Sequence, residues 1–180
     1  MTLTIGLCGY AQSGKDTLGQ LMVERAGFTH VAFADTLRAA MSALNPHVQW
    51  GTNFVPWNEV VGTIGYERAK KETNGRELLQ RLGTEVGRNL IHDDVWVEAA
   101  FKQINAFDDY VFTDVRFPNE ANKILDEGGE IYRVVRPGTA PVNAIIANET
   151  VLNGMARAMK ETFSMPGCEL VKTPVGSIRR

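Results

Sequence analysis

The clearest chemical signal in the sequence is a glycine-rich segment that ends in a lysine and precedes a helical pattern. Gly9, Gly14 and Lys15 have the spacing of a phosphate-binding P-loop. Glycines let successive backbone N–H groups converge on phosphate oxygens, and the N-terminus of the following helix adds its positive end. The lysine reaches the β and γ phosphates of a nucleotide. The predicted nucleotide phosphate site consists of Gly9, Ala11, Gln12, Ser13, Gly14, Lys15, Asp16 and Thr17.

One position of this segment departs from the usual pattern. The Ser or Thr that normally follows the lysine and binds Mg²⁺ is replaced by Asp16, and Thr17 comes one residue later. Thr17 could bind the ion directly, or Asp16 could hold it through water, which suits a cation that keeps several of its waters. Asp16 could equally do no more than stabilise the helix N-terminus. The sequence predicts Mg²⁺ at Asp16 or Thr17 without deciding between them.

Another carboxylate ends a later apolar strand. Asp114 follows this strand, and a doubly wound sheet places the carboxyl end of such a strand beside the phosphate loop. Asp114 is therefore predicted to orient Mg²⁺ or the attacking group. Arg116, two residues on, could reach the same anionic site, or it could form a surface ion pair with Glu120 at i+4.

Short apolar strands alternate with helical patterns along most of the chain. Continuous apolar strands of this kind indicate a parallel sheet covered by helices on both faces. The predicted fold class is α/β, a three-layer αβα arrangement with a mostly parallel five-stranded sheet. Residues 46–71 show no clear period and predict an irregular segment. The predicted strands are residues 3–8, 30–34, 109–114, 131–136 and 144–147, and the predicted helices follow Gly14 and Asp35 and cover about 74–91, 95–104, 118–128 and 152–163.

Composition and charge limit the classes of function. With 180 residues, 44% hydrophobic and 22% charged, the chain fits one globular domain, expected at residues 1–163 with a polar tail at 164–180. A net charge of −2 provides no global positive field to hold a nucleic-acid polymer or an anionic membrane. Two cysteines without CxxC spacing, and no apolar run of membrane-spanning length, predict a soluble cytoplasmic protein.

Missing motifs disfavour two other classes of nucleotide-binding protein. A GTPase needs a strand that ends in Asn-Lys-x-Asp, but Asn122-Lys123-Ile124-Leu125 lacks the acid and lies in a predicted helix. No Leu-Ser-Gly-Gly-Gln signature occurs, and 180 residues leave no room for a motor or a transporter-coupled core. A small kinase is the interpretation that remains.

Four motifs in order resemble the deoxynucleoside monophosphate kinases common in bacteriophages. They are Gly14-Lys15-Asp16-Thr17, Ala32-Phe33-Ala34-Asp35-Thr36-Leu37-Arg38, the run from Arg76 to Arg88, and Thr113-Asp114-Val115-Arg116-Phe117-Pro118-Asn119-Glu120-Ala121. The resemblance implies a P-loop kinase-like fold and transfer of the γ-phosphoryl group of ATP to a deoxynucleoside monophosphate (dNMP), with Mg²⁺. It also implies the host cytoplasm for a protein of phage origin. A homodimer is left open.

The resemblance further implies where the acceptor nucleotide binds. Asp35 and Arg38 would line its site, and Arg76, Gln80 and Arg88 on the long helix would face its monophosphate or base. Arg76 and Gln80 are four residues apart and so share a helix face. A solvated basic face explains the same pattern.

Aromatic residues are concentrated in the acceptor subregion, expected at about residues 45–91. Trp57, together with Trp50, Phe54 and Tyr66, could stack on the acceptor base. Packing of the subregion explains these residues equally well. Trp57 is therefore a candidate substrate-binding residue with two open roles.

Small P-loop kinases usually clamp the transferring phosphate with arginines from a lid after a late strand. That segment is short here, at residues 137–141, which leaves Arg133 and Arg136 as candidates. Residues three apart on a strand point to opposite faces, so we prefer Arg136 at the strand end.

Two alternatives to a dNMP kinase stay open, a kinase acting on a molecule such as dephospho-coenzyme A and a nucleotide-binding switch with little turnover. The predicted catalytic residues are Lys15, Asp114, Arg116 and Arg136.

Overall fold

The computed structural model of the protein describes residues 2–136 with their side chains and residues 169–172 by their backbone. The chain divides into two compact units. The first, named here the sheet unit, comprises Met1–Phe33 and Phe101–Arg180, and the second, the helical unit, comprises Ala34–Ala100. In the ranges just given as described, no helix is long and apolar enough to cross a membrane.

Strands and helices alternate along the sheet unit, whereas the helical unit is built from short helices and one hairpin. The elements in chain order are β1 (Thr4–Cys8), α1 (Lys15–Ala26), β2 (Thr29–Val31), α2 (Phe33–Leu44), β3 (His47–Trp50), β4 (Asn53–Pro56), α3 (Trp57–Ile64), α4 (Tyr66–Glu72), α5 (Gly75–Arg81), a π-helix (Leu82–Ile91), α6 (Val95–Phe101), β5 (Tyr110–Phe112), α7 (Pro118–Asp126), β6 (Glu130–Val135) and β7 (Glu169–Lys172).

The sheet has five strands in the order β2-β5-β1-β6-β7. The first four run parallel, with Ile5 of β1 paired to Val111 of β5, and β7 runs antiparallel to β6. The predicted α/β class with a mostly parallel sheet is confirmed. The strand predicted at residues 144–147 lies outside the described residues. The fifth strand observed here belongs instead to the C-terminal segment, where the sequence predicts a polar tail.

Strand β1 is buried on both faces, as its continuous apolar run predicts. On one face Ile5 and Leu7 pack in a cluster with Leu18 and Met22 of α1. The other face carries α7, whose Ile124 approaches so closely that a Cβ at residue 6 would lie 2.8 Å from its Cδ1. A helix on each face of the sheet gives this unit the three layers of an αβα fold.

Residues 46–71 of the helical unit form short regular elements rather than the irregular segment that the sequence predicts. Strands β3 and β4 make an antiparallel hairpin in which Val48 faces Val55, and α3 and α4 follow directly. These elements are four to eight residues long, which is too short for a hydrophobic period to become visible. Trp57 and Leu79 lie in the apolar core of this unit.

The long helix predicted at residues 74–91 consists of α5 followed by a π-helix of ten residues. A π-helix closes its turns with hydrogen bonds from residue i to i+5 and rarely exceeds one turn. Here the ring of Trp96 in α6 packs on Gly87 of the π-helix, and its Nε1 donates to the carbonyl oxygen of Gly83 at 2.8 Å. A Cβ at Gly87 would lie 2.6 Å from that ring, so only glycine permits this contact.

Candidate active site

The glycine-rich segment forms a tight loop between β1 and α1, in the sheet unit. Gly9 and Gly14 have φ values of 140° and 98°, in the range that glycine alone adopts readily. A Cβ at Gly9 would also lie 2.5 Å from the backbone oxygen of Val134 in β6. Gln12 has φ 63°, and a left-handed backbone at a non-glycine residue is strain of the kind that collects at ligand sites. The local geometry is that of a loop that binds phosphate at a helix N-terminus.

Lys15, the first residue of α1, turns its ammonium back onto this loop. Its Nζ donates to the carbonyl oxygens of Gly9 and Tyr10, at 2.9 and 2.7 Å. An ammonium has three N–H donors, so one remains for a ligand oxygen without any rearrangement. Burial lowers the pKa of Lys15, and the nearby Arg116 guanidinium lowers it further, while Asp16 acts in the opposite direction. The charges of Lys15, at the end of the loop, and of Arg116, from a distant part of the chain, therefore act on each other.

Asp114 and Arg116 lie in the segment that joins β5 to α7, at the same edge of the parallel sheet as the loop after β1. Asp114 is half-buried, and its Oδ1 accepts a hydrogen bond from the backbone N–H of Phe33 at 3.0 Å. Glu120, which the sequence offers as an ion-pair partner of Arg116, accepts hydrogen bonds from the backbone N–H groups of Arg116 and Phe117 at 2.7 and 2.9 Å. The arginine side chain is exposed.

The residues predicted to bind Mg²⁺ offer hard oxygen donors. Asp16 and Thr17 are exposed in the first turn of α1, and Asp114 follows β5. Among the residues that the structure describes, no group of three or more His, Cys, Asp or Glu could hold a metal ion. Mg²⁺ does not need such a group, because it is usually held by one or two carboxylates together with substrate phosphates and water. The donor set present fits Mg²⁺ bound jointly with a nucleotide.

Two arginines were predicted from β6 and the segment after it. Arg136 directly follows β6 and is exposed. Arg133 is half-buried and pairs in register with Cys8 on β1, and its Nε has no hydrogen-bond partner among the described residues. Burial raises the pKa of the Cys8 thiol to about 12, although Arg133 and Lys15 act to lower it. The lid predicted at residues 137–141 lies outside the described residues.

In the helical unit, Asp35 and Arg38 form an ion pair in the first turns of α2. The distance from Nη1 of Arg38 to Oδ1 of Asp35 is 2.6 Å. The guanidinium also lies 5.5 Å from the ring centroid of Tyr66, and Lys70, paired with Glu67 at 2.8 Å, lies 5.3 Å from the same ring. Burial opposes the charge on Arg38, but hydrogen bonds to Asp35 and Tyr66 outweigh it and raise the pKa of the guanidinium.

Trp57 occupies a position that favours packing over base stacking. Its side chain is 0% exposed and meets the edge of the Tyr66 ring at 5.8 Å between centroids. A Cβ at Gly75 would lie 2.3 Å from the Trp57 ring, so the surrounding chain closes directly on it. A ring without an exposed face offers no surface to a nucleotide. The substrate-binding role predicted for Trp57 is therefore withdrawn, and the packing role is retained.

The three polar residues predicted along the long helix differ in exposure. Arg76 and Gln80 are exposed on α5, where a spacing of four residues keeps them together. Arg88 lies on the π-helix, whose wider turns change the angular spacing. Its side chain is 12% exposed, and it donates to the backbone oxygen of Asp93 at 3.3 Å. Arg88 therefore differs from Arg76 and Gln80 in burial.

The structure gives two residues contacts other than those that the sequence analysis considered for them. Glu120 is buried and bonds to the backbone beside Arg116, and Tyr66 supports the guanidinium of Arg38. A signal for Glu120 was present, because Pro118 at the first and Glu120 at the third helical position are typical of a helix start. No local signal marks Tyr66, whose partner lies in another helix.

The fold and the loop together are consistent with a P-loop kinase-like αβα protein. Comparison with known proteins shows which proteins the chain resembles in sequence. The chain is 29% identical over 158 residues to a putative deoxynucleotide monophosphate kinase of Acanthamoeba polyphaga mimivirus, covering 76% of this chain and 75% of that protein. It is 50% identical over 54 residues to the deoxynucleoside-5'-monophosphate kinase of Escherichia phage T5, covering 28% of this chain and 21% of that protein. No protein-family model matches the chain.

These relatives confirm the resemblance that the four motifs predict. The first match extends over three quarters of both chains, and the second is a short stretch of higher identity. The chain is therefore similar over most of its length to one protein named as a deoxynucleotide monophosphate kinase, and over a short stretch to a second named as a deoxynucleoside-5'-monophosphate kinase.

Proposed function

We propose that the protein transfers the γ-phosphoryl group of ATP to a dNMP. The observation that carries the proposal is the Lys15 ammonium, held on the loop after β1 by two carbonyl oxygens and influenced by the charge of Arg116. An anion with several charged oxygens is the ligand that such a pair of cations stabilises best. The ATP phosphates would bind the residues Gly9 to Thr17, with the third N–H of Lys15 directed to a phosphate oxygen.

The reaction is an in-line displacement. An oxygen of the acceptor monophosphate attacks the γ-phosphorus of ATP, the bond from that phosphorus to the β,γ-bridging oxygen breaks, and ADP and a deoxynucleoside diphosphate result. A phosphate monoester is already anionic near neutral pH, so the attack needs no general base. Lys15, Arg116 and Arg136 would stabilise the charge on the transferring group, which is the largest contribution available to such a site.

Mg²⁺ would be held by Thr17 or Asp16 and by Asp114. When bound, the ion neutralises phosphate charge and fixes the geometry of the phosphates. The chain's own part is to orient the donors. Asp114 is the best prepared of the three, because its hydrogen bond to the N–H of Phe33 limits the positions of its carboxylate.

The acceptor would bind residues of the helical unit. Asp35 and Arg38 are candidates for its sugar and phosphate, with Arg76, Gln80 and Arg88 as further polar contacts. The support is strongest for Arg38, since Asp35 and Tyr66 preorganise its guanidinium and so reduce the entropy lost on binding. A single kinase domain at residues 1–163, a homodimer and a location in the host cytoplasm stay predictions.

A coupled assay of ADP release tests the proposal. Purified protein is incubated with ATP and Mg²⁺ and with each of a panel of dNMPs, ribonucleoside monophosphates and dephospho-coenzyme A. We expect release that depends on one or more dNMPs and stops when EDTA is added. Lys15→Ala should lower kcat by at least about 100-fold, as removal of one charge-stabilising donor does elsewhere. Lys102→Ala, which changes an exposed lysine directly after α6, serves as the matched control.

Two results would overturn the proposal. Turnover only with dephospho-coenzyme A would assign a different acceptor to the same phosphate chemistry. ATP binding without any acceptor-dependent ADP release would point to a nucleotide-binding switch.

A further inference from the structure

One buried carboxylate of the sheet unit has no part in the proposed chemistry. Glu120 is 3% exposed and lies in the first turn of α7. Burying a charge costs free energy unless hydrogen bonds compensate it. Glu120 has this compensation, because its Oε2 accepts from the N–H of Arg116 at 2.7 Å and from the N–H of Phe117 at 2.9 Å. Hydrogen bonds to an ionised acceptor are roughly twice as strong as neutral ones.

These two hydrogen bonds fix one end of the segment between β5 and α7. Its other end is fixed by Asp114, whose Oδ1 accepts from the N–H of Phe33 at 3.0 Å. Pro118 restricts the backbone further at the first position of α7. Arg116 lies between these attachment points, and its own N–H is one of the groups held. The backbone from which its guanidinium extends therefore has little freedom.

We propose that Glu120 is a positioning residue that acts through Arg116. By accepting the hydrogen bond from the N–H of Arg116, Glu120 fixes the backbone position from which the Arg116 side chain extends. The guanidinium of that side chain is the group that acts beside Lys15. The inference rests on the proposed function, in which Arg116 stabilises charge on the transferring phosphoryl group. Displacement of a catalytic group by about 1 Å can cost on the order of 100-fold in rate, even when the change lies away from the reacting atoms.

Two substitutions of Glu120 separate its oxygen from its charge. Glu120→Gln keeps an oxygen in the same place that can accept both N–H bonds, so we expect kcat within about threefold of the wild type. Glu120→Ala removes both bonds, and we expect kcat to fall roughly 10- to 100-fold. KM for the dNMP should change little, because Arg116 is proposed to act on the transferring phosphoryl group of ATP and not on the acceptor. Equal losses in both variants, or no loss in Glu120→Ala, would overturn the proposal.

A control is needed for the stability of α7, which Glu120 also supports. Ala121→Gly changes the next residue, which is 1% exposed, and weakens the helix without removing either bond to Glu120. Its melting temperature should fall, as that of Glu120→Ala should. Its kcat, measured well below both melting temperatures, should stay within about threefold of the wild type. If kcat falls as much in Ala121→Gly as in Glu120→Ala, the stability of α7 alone explains the lower kcat of Glu120→Ala.

A double-mutant cycle tests whether Glu120 acts through Arg116. If it does, Arg116→Ala with Glu120→Ala should have the same kcat as Arg116→Ala alone, since the positioned group is already gone. Additive losses would overturn the proposal. An inactive wild type would refute the proposed function instead. The positioning role would then be tested by the ATP affinity, measured by calorimetry, of the wild type, the two single alanine variants and the double variant. If ATP affinity falls by the same factor in both single variants and in the double variant, Glu120 positions Arg116. An unchanged ATP affinity in Glu120→Ala contradicts this role.

Discussion

The guanidinium of Arg116 lies close enough to the ammonium of Lys15 to contribute to its lowered pKa, although burial of the lysine contributes most. The two residues come from distant parts of the chain and follow the carboxyl ends of the neighbouring parallel strands β1 and β5. Two cations held together repel each other, and a fold gains nothing from this arrangement by itself. Such pairs are typical of sites whose ligand is an anion.

Removal of the arginine charge should raise the pKa of Lys15. Arg116→Leu takes away one of the two effects that disfavour the protonated amine and leaves burial in place. The titration can be followed by NMR of the protein after reductive ¹³C-methylation of its lysines. Arg25→Leu, which changes an exposed arginine in the last turn of α1, should leave the Lys15 resonance unchanged. The same pKa in Arg116→Leu and wild type would contradict the relationship.

Stability should depend on pH through Lys15 with a definite sign. Because its pKa in the folded protein is below the ordinary value of 10.5, the unfolded chain binds more protons in the interval between the two. The stability of the wild type relative to Lys15→Met should therefore increase as pH rises through that interval. Urea denaturation of both proteins at several pH values up to 10.5 measures this. A constant or falling difference would show that the lysine is not destabilised by its surroundings.

The support that Tyr66 gives to Arg38 should appear in the binding of the acceptor. Tyr66→Leu removes the ring that lies 5.5 Å from the guanidinium and 5.3 Å from the ammonium of Lys70. A cation–π contact at an exposed site contributes about 0.5–1 kcal/mol, so KM for the dNMP should rise roughly two- to fivefold. Tyr66→Phe keeps the ring and should have a smaller effect. The exposed Phe54 provides the control variant Phe54→Leu.

KM for ATP is the second measurement on the same variants. It should be unchanged in Tyr66→Leu, because this residue lies in the helical unit while the P-loop lies in the sheet unit. A parallel rise in both KM values would indicate a general structural defect and not a loss of acceptor binding.

Two glycines in helices should respond to alanine in opposite directions. A Cβ at Gly87 would lie 2.6 Å from the Trp96 ring, and overpacking of this kind costs about 1–3 kcal/mol in the free energy of unfolding. A Cβ at Gly62 in α3 would meet nothing within 4 Å, and alanine there should stabilise by about 0.4–1 kcal/mol. Urea denaturation of Gly87→Ala and Gly62→Ala compares the two. A stable Gly87→Ala would mean that the π-helix does not depend on this contact.

Cys8 should react with alkylating reagents only when the protein unfolds. Its side chain is 1% exposed, and burial raises the pKa of the thiol to about 12, so thiolate is scarce at neutral pH. Labelling with iodoacetamide, followed by mass spectrometry of the peptide that contains Cys8, should increase with urea along the unfolding curve. Rapid labelling in native buffer would contradict the burial of β1.

Much of the candidate nucleotide site could be predicted from local sequence, because its requirements are local. The loop after β1 needs glycines where φ is positive and a lysine at the start of the helix, and these residues are neighbours in the chain. The continuous apolar run of β1 predicts a strand buried on both faces, and the structure has it. Asp114 could be identified because a strand end is visible in the sequence.

Features that depend on distant partners could not be predicted in the same way. The π-helix accompanies the contact of Trp96 with two glycines, and the burial of Trp57 depends on the chain around Gly75. The bonds of Glu120 connect groups only a few residues apart, yet the role inferred for them depends on where Arg116 extends. The hydrophobic period of a sequence gives no information about such contacts.

The sequence by itself determined which class of chemistry is proposed, since residue type and spacing along the backbone decide which groups can surround a phosphate. The tertiary structure alone decided that Arg116 acts on Lys15, that Tyr66 supports Arg38 and that Trp57 is closed off from ligands. The physical reason is the distance along the chain over which each kind of interaction acts. Backbone dihedrals and helix starts are set by neighbouring residues, whereas charge interactions and burial depend on distances through space that only the folded chain fixes.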